Sequence, residues 1–223
     1  MNRVLFDGIC SRTMCNACPN SAIFAVKSKL KKMSENNVII TRRYQSPCGE
    51  MIIGSMAQML CLCDWVCDAE RRLLIDRRLA RHLGAGFEEG TSAVIEQAVK
   101  QLDEYFQGKR SVFDVPLLFA GTQFQQRVWR ELLAIPYGTT ISYSQLAQRL
   151  AMPHAVRAVA NACGANAISV FAPCHRVVGS NGSLTGYAGG IEAKRKLLLI
   201  ENTPIMIEGG KILRINNEKL MLL

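Results

Sequence analysis

The sequence predicts an α+β protein with two domains, and three observations lead to this expectation. Apolar and β-branched runs broken by turn residues occupy residues 38–66, and two amphipathic helical patterns follow them. Further along the chain, two short helices are joined by a tight turn. The 223 residues, of which 49% are hydrophobic, suffice to bury the core of one large domain or of two small ones.

The first domain is predicted at residues 40–117. It opens with VIITRRYQSPCGEMIIGSMAQMLCLCDW, and the breaks at PCG and GSMAQ indicate a meander of two or three antiparallel strands. Helical spacing of apolar residues follows in DAERRLLIDRRLARHL and in TSAVIEQAVKQLDEYFQG. Gly108 marks the predicted end of the second of these helices. Its apolar face consists of Val94, Ala98, Leu102 and Phe106.

The second domain is predicted at residues 118–202, with a connector, KRSVFDVPLLFAG, leading into it. Its first helix is predicted in GTQFQQRVWRELLAI with Thr122 as N-cap, and a second in SYSQLAQRL with Ser142 as N-cap. The breaker AMP separates that helix from a third, predicted in HAVRAVANAC. The second and third helices together resemble a helix-turn-helix, although an ordinary helical hairpin gives the same pattern. Arg157 and Asn161 lie off the apolar stripe of the third helix and are free to face a ligand.

The rest of the second domain is predicted from three further patterns. A strand is expected in ISVFAP, directly before Cys174, and Asn181-Gly182 is typical of a two-residue hairpin turn. The closing helix, IEAKRKLLLIE, has a basic polar face and ends at Glu201. Residues 1–39 show no clean periodicity and are treated as an N-terminal extension, and residues 203–223 are treated as a C-terminal tail.

Charge and cysteine content restrict the classes of function. The net charge of +9 suggests a polyanionic partner. Eight basic residues stand against two acidic ones at residues 121–200, so most of the excess lies in the half that carries Cys174. No window reaches the roughly 18 consecutive apolar residues of a membrane span, and the start of the chain lacks the layout of a secretory signal. We therefore expect a cytoplasmic protein whose nine cysteines are free thiols.

A zinc site is the alternative for part of the cysteine set. Cys10, Cys15 and Cys18 include a CxxC and can bind zinc if a fourth ligand, for example Cys48 or Cys61, joins them. A structural zinc site needs four ligands in tetrahedral geometry, and this spacing supplies three nearby. The sequence therefore favours a protein without a metal site.

Cys174 and His175 are neighbours that follow Pro173. A cysteine becomes a nucleophile when a neighbouring cation, a helix N-terminus or an adjacent base holds it as the thiolate. Adjacent side chains on an extended backbone point apart, so we expect His175 to act through a water molecule or after a bend at Pro173. Glu201 is the candidate third group that orients the imidazole. A buried structural cysteine is the alternative interpretation of Cys174.

Longer runs around this pair carry a specific resemblance. They read FQQRVWRELLAIPYGTTISYSQLA, AVRAVANACGAN and PCHRVVGSNGSLTGYAGG. They resemble the O6-alkylguanine-DNA alkyltransferases, also called methylated-DNA:protein-cysteine methyltransferases, over residues 40–202 and most closely from Phe124 to Glu201. The resemblance implies a small RNase H-like N-terminal domain, followed by a winged helix-turn-helix-like C-terminal domain. It also implies direct-reversal DNA repair, in which an alkyl group moves irreversibly from O6-alkylguanine to the protein's own cysteine.

The resemblance implies catalytic roles for individual residues. Cys174 is the alkyl acceptor, His175 the base that acts through water, and Glu201 the acid that orients this histidine. Asn166 braces the active-site turn. Tyr143 contacts the flipped base and donates a hydrogen bond that makes guanine a better leaving group. No cofactor is implied, since the thiolate attacks the alkyl carbon directly.

The resemblance also implies how DNA is held. Arg157 enters the duplex in place of the extruded nucleotide. Further DNA contacts are expected from Tyr143, Ala155, Asn161 and Arg176. The base pocket is expected to consist of Val177, Tyr187 and Ala188. Two positions depart from the family pattern, since Ala172 replaces the usual isoleucine and Ala188 a frequent serine. The implied partner is double-stranded DNA with alkylated guanine, bound by a monomer without any membrane.

Other functions stay open from the sequence alone. A DNA-binding regulator can use the helix-turn-helix for control and Cys174 as a redox or alkylation sensor. A thiol hydrolase can use Cys174 and His175. A lesion binder without transfer activity is a third alternative, but the presence of Cys174 argues against it. O4-alkylthymine is a further candidate substrate of the transfer reaction.

Overall fold

The computed structural model describes residues 37–203, 205–208 and 211–214. The candidate zinc ligands Cys10, Cys15 and Cys18 lie outside the described residues, as do most of the predicted N-terminal extension and parts of the tail. The first strand starts at Val38, where the predicted run of apolar and β-branched residues begins. None of the helices in the described part of the chain combines the length and the apolar composition that a bilayer crossing requires.

A four-stranded sheet forms the first domain. Strands β1 (Val38–Ser46), β2 (Gly49–Met56) and β3 (Met59–Trp65) form the predicted antiparallel meander. A fourth strand, β4 (Gly86–Glu89), pairs with β1 in parallel, which gives the order β3-β2-β1-β4. β4 is absent from the sequence-based prediction because its four residues, GFEE, are all exposed and carry no alternation of apolar and polar residues.

Two helices accompany this sheet, as their apolar spacing predicts. Helix α1 (Ala69–Leu83) begins after Asp68, whose side chain accepts a hydrogen bond from Arg71 N. Helix α2 (Ala93–Phe106) is capped by Ser92. The predicted apolar face of α2 is buried for three of its members and partly buried for the fourth, and it packs against the core residues of β2 and β3. Those four residues are Val94, Ala98, Leu102 and Phe106.

The second domain begins with helix α3 (Gln123–Leu132), and the helix-turn-helix consists of α4 (Tyr143–Arg149) and α5 (Val156–Gly164). Both predicted N-caps are correct. The Thr122 side chain accepts from Gln125 N at 3.2 Å, and the Ser142 side chain accepts from Gln145 N at 3.1 Å. In each case the glutamine side chain bonds back to the cap residue, which completes a capping box.

The remaining elements are short except for one helix. Strand β5 (Ile141–Ser142) pairs in parallel with β6 (Val177–Val178), and helix α6 (Gly190–Ile200) follows. Strands β7 (Ile205–Glu208) and β8 (Lys211–Arg214) pair with each other. The predicted two-residue hairpin at Asn181-Gly182 is wrong. Gly179 N donates to Ser183 O at 2.9 Å around a three-residue turn, and the strand that enters this turn pairs with β5 instead of with its own continuation.

The segment before Cys174 is built into the core of the first domain. Cys63 N on β3 donates to Ala167 O at 2.8 Å, and Ser169 N donates back to Cys63 O at 2.6 Å. Side chains of Ile168, Val170 and Phe171 belong to the same hydrophobic cluster as the sheet and α2. The sheet domain therefore supports the chain that leads directly to Cys174.

Candidate active site

Cys174 lies on a turn and not at the end of a strand. It opens a 3₁₀ turn, Cys174–Arg176, immediately after Pro173. The preceding residues make local turns, with Phe171 N bonded to Ser169 O and Ala172 N bonded to Ile168 O, each at 2.9 Å. The strand predicted in ISVFAP is therefore wrong, apart from a single bridge between Ile168 and Cys63. Its continuous apolar run is explained by burial on all sides and not by strand pairing.

Asn166 holds this turn at both ends. Its Oδ1 accepts from Ile168 N at 3.0 Å, and its Nδ2 donates to Ala172 O at 2.8 Å. The same Nδ2 lies 3.4 Å from Cys174 Sγ. The sulfur is thus held in place by an amide that itself has fixed partners. This geometry is the brace that the resemblance implies for Asn166.

The charge of a buried lysine acts on the Cys174 thiol. Lys194 of α6 has no exposed surface, and its Nζ donates to Val177 O at 2.6 Å and to Thr185 O at 3.1 Å. Among the described residues no carboxylate pairs with it. Burial lowers the pKa of Lys194 to about 8. Burial raises the pKa of Cys174, while the Asn166 hydrogen bond and the Lys194 charge act in the opposite direction and favour the thiolate.

His175 is paired with Glu201, and both side chains are completely buried. His175 Nε2 lies 2.7 Å from Glu201 Oε1. Burial lowers the pKa of His175, which keeps the ring neutral, so Nε2 carries the proton that is donated to Glu201. The other nitrogen, Nδ1, is buried and has no hydrogen-bond partner among the described residues. In this tautomer Nδ1 is the atom able to accept a proton.

Arg176 does not fit its predicted role as a DNA contact. It is 6% exposed, and its Nε and Nη2 donate to Glu201 at 2.9 and 3.0 Å. Its Nη1 donates to Ile135 O at 2.5 Å, and its guanidinium lies 5.8 Å from the centre of the Tyr137 ring. A guanidinium with these internal partners is not available for a phosphate. The 3₁₀ turn aims this side chain inward, where it neutralises the buried carboxylate.

Burial of Glu201 alone would raise its pKa, but hydrogen bonds and charges from His175 and Arg176 lower that pKa to about 2. The carboxylate is therefore ionised at neutral pH. It also accepts from Gly138 N at 3.2 Å. His175, Arg176 and Glu201, called the relay below, thus contain one fixed negative charge that is balanced inside the protein.

Three of the residues predicted to contact the base, Val177, Tyr143 and Tyr187, pack in the same hydrophobic cluster as Cys174. Val177 is fully buried, and its carbonyl accepts the hydrogen bond from Lys194. Tyr143 is half-buried and lies 6.0 Å, ring centre to Nζ, from Lys194. Burial raises the pKa of Tyr143 to about 12, so its hydroxyl remains a proton donor at neutral pH. Tyr187 has a buried hydroxyl without a partner among the described residues, and Ala188 follows it.

Trp65, at the end of β3, packs against the glycine turn that follows Tyr187. The Trp65 and Tyr187 ring centres lie 5.9 Å apart in an edge-on arrangement. A Cβ placed on Gly189 would lie 2.6 Å from Trp65 Cδ2, a distance that real side chains do not tolerate. Glycine at position 189 is therefore required by close packing, and the first domain forms the back of the pocket wall.

Helix α5 presents a polar face to solvent. Arg157 and Asn161 are both exposed, and Arg157 forms no hydrogen bond or ion pair with any described residue. Ala155 lies directly before the helix, partly exposed, and contributes no side-chain cap. The opposite face of α5 is buried through Val159, Ala162 and Cys163. The structure thus separates the predicted DNA-contacting residues of α5 from the hydrophobic core.

Two family models match the chain in the regions just described. The DNA-binding domain of 6-O-methylguanine DNA methyltransferase matches residues 123–203, and the ribonuclease-like domain of the same enzyme matches residues 39–119. The chain belongs to the 6-O-methylguanine DNA methyltransferase family. Within this family fold, the ribonuclease-like domain corresponds to the four-stranded sheet with α1 and α2, and the DNA-binding domain carries Cys174.

Individual proteins that are similar to this chain also belong to the 6-O-methylguanine DNA methyltransferase family. The methylated-DNA–protein-cysteine methyltransferase of Mycobacterium bovis is 54% identical over 106 residues, which are 48% of this chain and 64% of that protein. The aligned region thus spans less than two thirds of that relative. A solved structure of Mycobacterium tuberculosis O6-methylguanine methyltransferase has a TM-score of 0.62 and 35% identity, covering 82% of this chain and 99% of that chain.

A second solved structure contains the Mycobacterium tuberculosis protein in complex with DNA. It has a TM-score of 0.62 and 39% identity to the present member of the family, and the match covers 74% of this chain and 92% of that chain. The fold is therefore shared over both domains of the 6-O-methylguanine DNA methyltransferase family.

Two buried side chains near this site are absent from the sequence-based prediction. Lys194 is counted there with the basic polar face of α6, yet it shares the buried face with Ala193, Leu197 and Leu198. Tyr105 of α2 reaches Glu201 with its hydroxyl. Helical spacing from apolar neighbours is the signal that marks both residues as buried, but spacing alone does not reveal what they contact.

Proposed function

We propose that this chain repairs alkylated DNA by direct reversal, accepting a methyl or other alkyl group from O6-alkylguanine on Cys174 Sγ. One observation carries the proposal. The Cys174 sulfur lies 3.4 Å from Asn166 Nδ2, the charge of the buried Lys194 favours its thiolate, and the next residue in the chain, His175, is fixed by Glu201. This arrangement supplies a positioned thiol, a cation that favours its thiolate and a neutral imidazole with a free nitrogen.

The transfer step is a displacement at carbon. His175 Nδ1 takes the thiol proton through a bridging water molecule, and the sulfur electron pair forms a bond to the alkyl carbon. The bond between that carbon and guanine O6 breaks, and its electron pair stays on the base. The base takes up one proton and returns to ordinary guanine, helped by a hydrogen bond from Tyr143. The thioether on Cys174 has no route back to the thiol, so one molecule repairs one lesion.

We further propose that duplex DNA is the substrate and that the damaged nucleotide is flipped out. Support comes from the exposed polar face of α5, the net charge of +9 and the DNA complex of the Mycobacterium tuberculosis relative. An alkylated oxygen inside a duplex is out of reach of the thiol of Cys174, a residue that is only 6% exposed. Extrusion costs a few kcal/mol, and in this proposal Arg157, exposed on α5, fills the gap that the nucleotide leaves.

Mass spectrometry tests the proposal directly. The full chain is incubated with a duplex that contains one O6-methylguanine, and a duplex with ordinary guanine is the control. We expect one added methyl group per chain, located on the peptide that contains Cys174. Continued turnover would indicate a thiol hydrolase, and tight sequence-specific binding without transfer would indicate a regulator with a sensor cysteine. Either result would overturn the proposal.

The domain boundaries at residues 117/118 and 202/203, the monomeric state and the cytoplasmic location stay predictions. All six cysteines among the described residues are free thiols, which supports a reducing compartment. Gel filtration of the chain with and without a lesion duplex measures the oligomeric state, for which we expect a monomer.

A further inference from the structure

Tyr105 brings the first domain into the hydrogen-bond network of the active site. It lies near the end of α2, it is completely buried, and its hydroxyl donates to Glu201 Oε1 at 2.8 Å. Its ring is held by aromatic neighbours, including Phe113 at 5.4 Å and Tyr137 at 6.2 Å between ring centres. The hydroxyl is therefore fixed in position and does not swing between alternative partners.

Glu201 receives hydrogen bonds unequally on its two oxygens. Oε1 accepts from Tyr105, from His175 Nε2 and from Arg176 Nη2. Oε2 accepts from Arg176 Nε and from Gly138 N. Tyr105 and His175 thus share one oxygen. Since a carboxylate oxygen that has more donors holds each of them less strongly, Tyr105 weakens the pull of Glu201 on the His175 proton.

Several other titratable groups face this pair, and their charges are constant on the acid side of the Lys194 pKa of about 8. Arg176 and Lys194 are cations that lower the pKa of His175, and the Cys174 thiol lies beside the ring in sequence. Tyr187 meets the imidazole edge-on at 6.5 Å between ring centres. Burial raises the pKa of Tyr105 well above its usual value, and the pKa of Tyr187 likewise, so both hydroxyls stay protonated.

We propose that Tyr105 is a positioning residue for alkyl transfer, because its hydroxyl shares Glu201 Oε1 with His175 and thereby leaves His175 Nδ1 free to accept the thiol proton. The inference rests on the proposed function of Cys174. A residue of the ribonuclease-like domain then sets the basicity of a group in the DNA-binding domain. Tyr105 touches neither DNA nor the sulfur and acts only through Glu201.

Removing the hydroxyl has a defined chemical consequence. In Tyr105→Phe the oxygen Oε1 keeps two of its three donors, so it binds the His175 proton more strongly and the pKa of His175 rises. A larger fraction of His175 is then protonated at a given pH, and protonated His175 cannot accept from the thiol. The acid limb of the pH–rate profile moves upward by about 0.5 to 1 unit, as expected for the loss of one hydrogen bond to a charged group.

The test uses the full chain and single-turnover transfer from an O6-methylguanine duplex, with protein in excess, between about pH 5 and pH 8.5. Tyr105→Phe is compared with the wild type and with Tyr137→Phe. Tyr137 is the matched control because its hydroxyl donates to Ile200 O and not to the carboxylate. We expect an acid limb shifted upward in Tyr105→Phe only, with rates within about twofold of wild type above the limb. The ¹⁵N shifts of His175 in both variants measure its pKa independently.

The outcomes separate this inference from the proposed function. A wild-type chain that never alkylates Cys174 refutes the proposed function itself. If the wild type transfers normally and the acid limb of the pH–rate profile of Tyr105→Phe is not shifted, the proposed role of Tyr105 is overturned. A uniform loss at all pH values, with an unchanged His175 pKa, means that Tyr105 only supports the fold and likewise overturns it.

A second substitution keeps the test decisive if Tyr105→Phe folds poorly. Replacing Tyr105 with 3-fluorotyrosine retains the ring and makes the hydroxyl a stronger donor. The acid limb is then expected to move downward, opposite to the effect of phenylalanine. A limb that stays in place in the fluorinated protein overturns the inference.

Discussion

The outer face of α5 and the relay behind Cys174 belong to the same domain, and each contains an arginine that the sequence assigns to DNA. Arg157 on α5 is exposed and has no partner among the described residues. Arg176 in the relay is 6% exposed and donates to a carboxylate and a backbone carbonyl. Local sequence does not separate the two residues, but burial does. In a basic protein, a positive side chain is available to an external anion only where no internal acceptor has engaged it.

The comparison has an energetic side. An exposed charge is well solvated and costs little to remove, whereas breaking a buried charge pair leaves its partner without compensation. Substitutions in the relay should therefore affect chemistry or stability, and substitutions on α5 should affect DNA engagement. Three experiments test this division.

The largest expected effect is on transfer, in Cys174→Ser. A hydroxyl is a far weaker nucleophile than a thiolate, so we expect complete loss of methyl transfer. Binding to the lesion duplex should stay within about twofold of wild type, because the proposed DNA contacts lie on α5 and not at the thiol. The measurements are transferred methyl per chain and the dissociation constant. Cys48→Ser, which removes a thiol outside the site, is the control and should transfer normally. Equal loss of binding and transfer would contradict the division.

The second effect is on stability, in Arg176→Met. Methionine keeps much of the side-chain volume but leaves Glu201 buried with a charge that has lost its cation. We expect the free energy of unfolding in urea to fall by about 3 kcal/mol. Arg130→Met, on the exposed surface of α3, is the control and should change stability by less than about 0.5 kcal/mol. An Arg176→Met protein of normal stability with weakened DNA binding would restore the DNA-contact role that the structure argues against.

The smallest of the three effects, in Arg157→Ala, is confined to duplex substrate. Restacking of the extruded nucleotide is worth a few kcal/mol, so we expect repair of a lesion duplex to slow by about 10- to 100-fold. Reaction with free O6-methylguanine should change little, since a free base has no stack to leave. Arg157→Lys should recover part of the duplex rate, because an ammonium lacks the planar guanidinium.

The control for Arg157 is Arg77→Ala, which removes the same charge from the exposed surface of α1. It should leave both second-order rate constants near wild type. Equal losses on the duplex and on the free base in Arg157→Ala would mean that this residue supports the pocket and not the flipped state.

Local signals predict local structure well in this chain. The β1–β3 meander, the caps Thr122 and Ser142 and the stripe of α2 all depend on residues close together in sequence, and the structure confirms them. The sequence does not predict β4, because its pairing with β1 joins residues more than forty positions apart, as in Val38 with Gly86. The strand predicted in ISVFAP fails for a related reason, since a fully buried turn and a buried strand have the same apolar composition.

The residues of the site likewise divide into those that the sequence predicts and those that only the structure reveals. Sequence reasoning singles out Cys174, His175 and the distant Glu201, the resemblance adds their implied roles, and the structure brings the last two within 2.7 Å of each other. The inward orientation of Arg176 and the contact of Tyr105 with Glu201 depend on how two domains pack, which no periodicity encodes. Site residues that belong to one sequence motif can be predicted from the sequence, whereas contacts between residues of two domains are found only from the structure.

The contact between Trp65 and Gly189 has a consequence for protein engineering. Position 189 accepts no Cβ while tryptophan occupies position 65, because the two residues touch across the domain boundary. A mutant library that varies the pocket at position 189 alone would consist largely of steric clashes. Joint randomisation of positions 65 and 189 would instead open the wall behind Tyr187 to new shapes. The two positions therefore form one unit of variation, although they lie in separate domains.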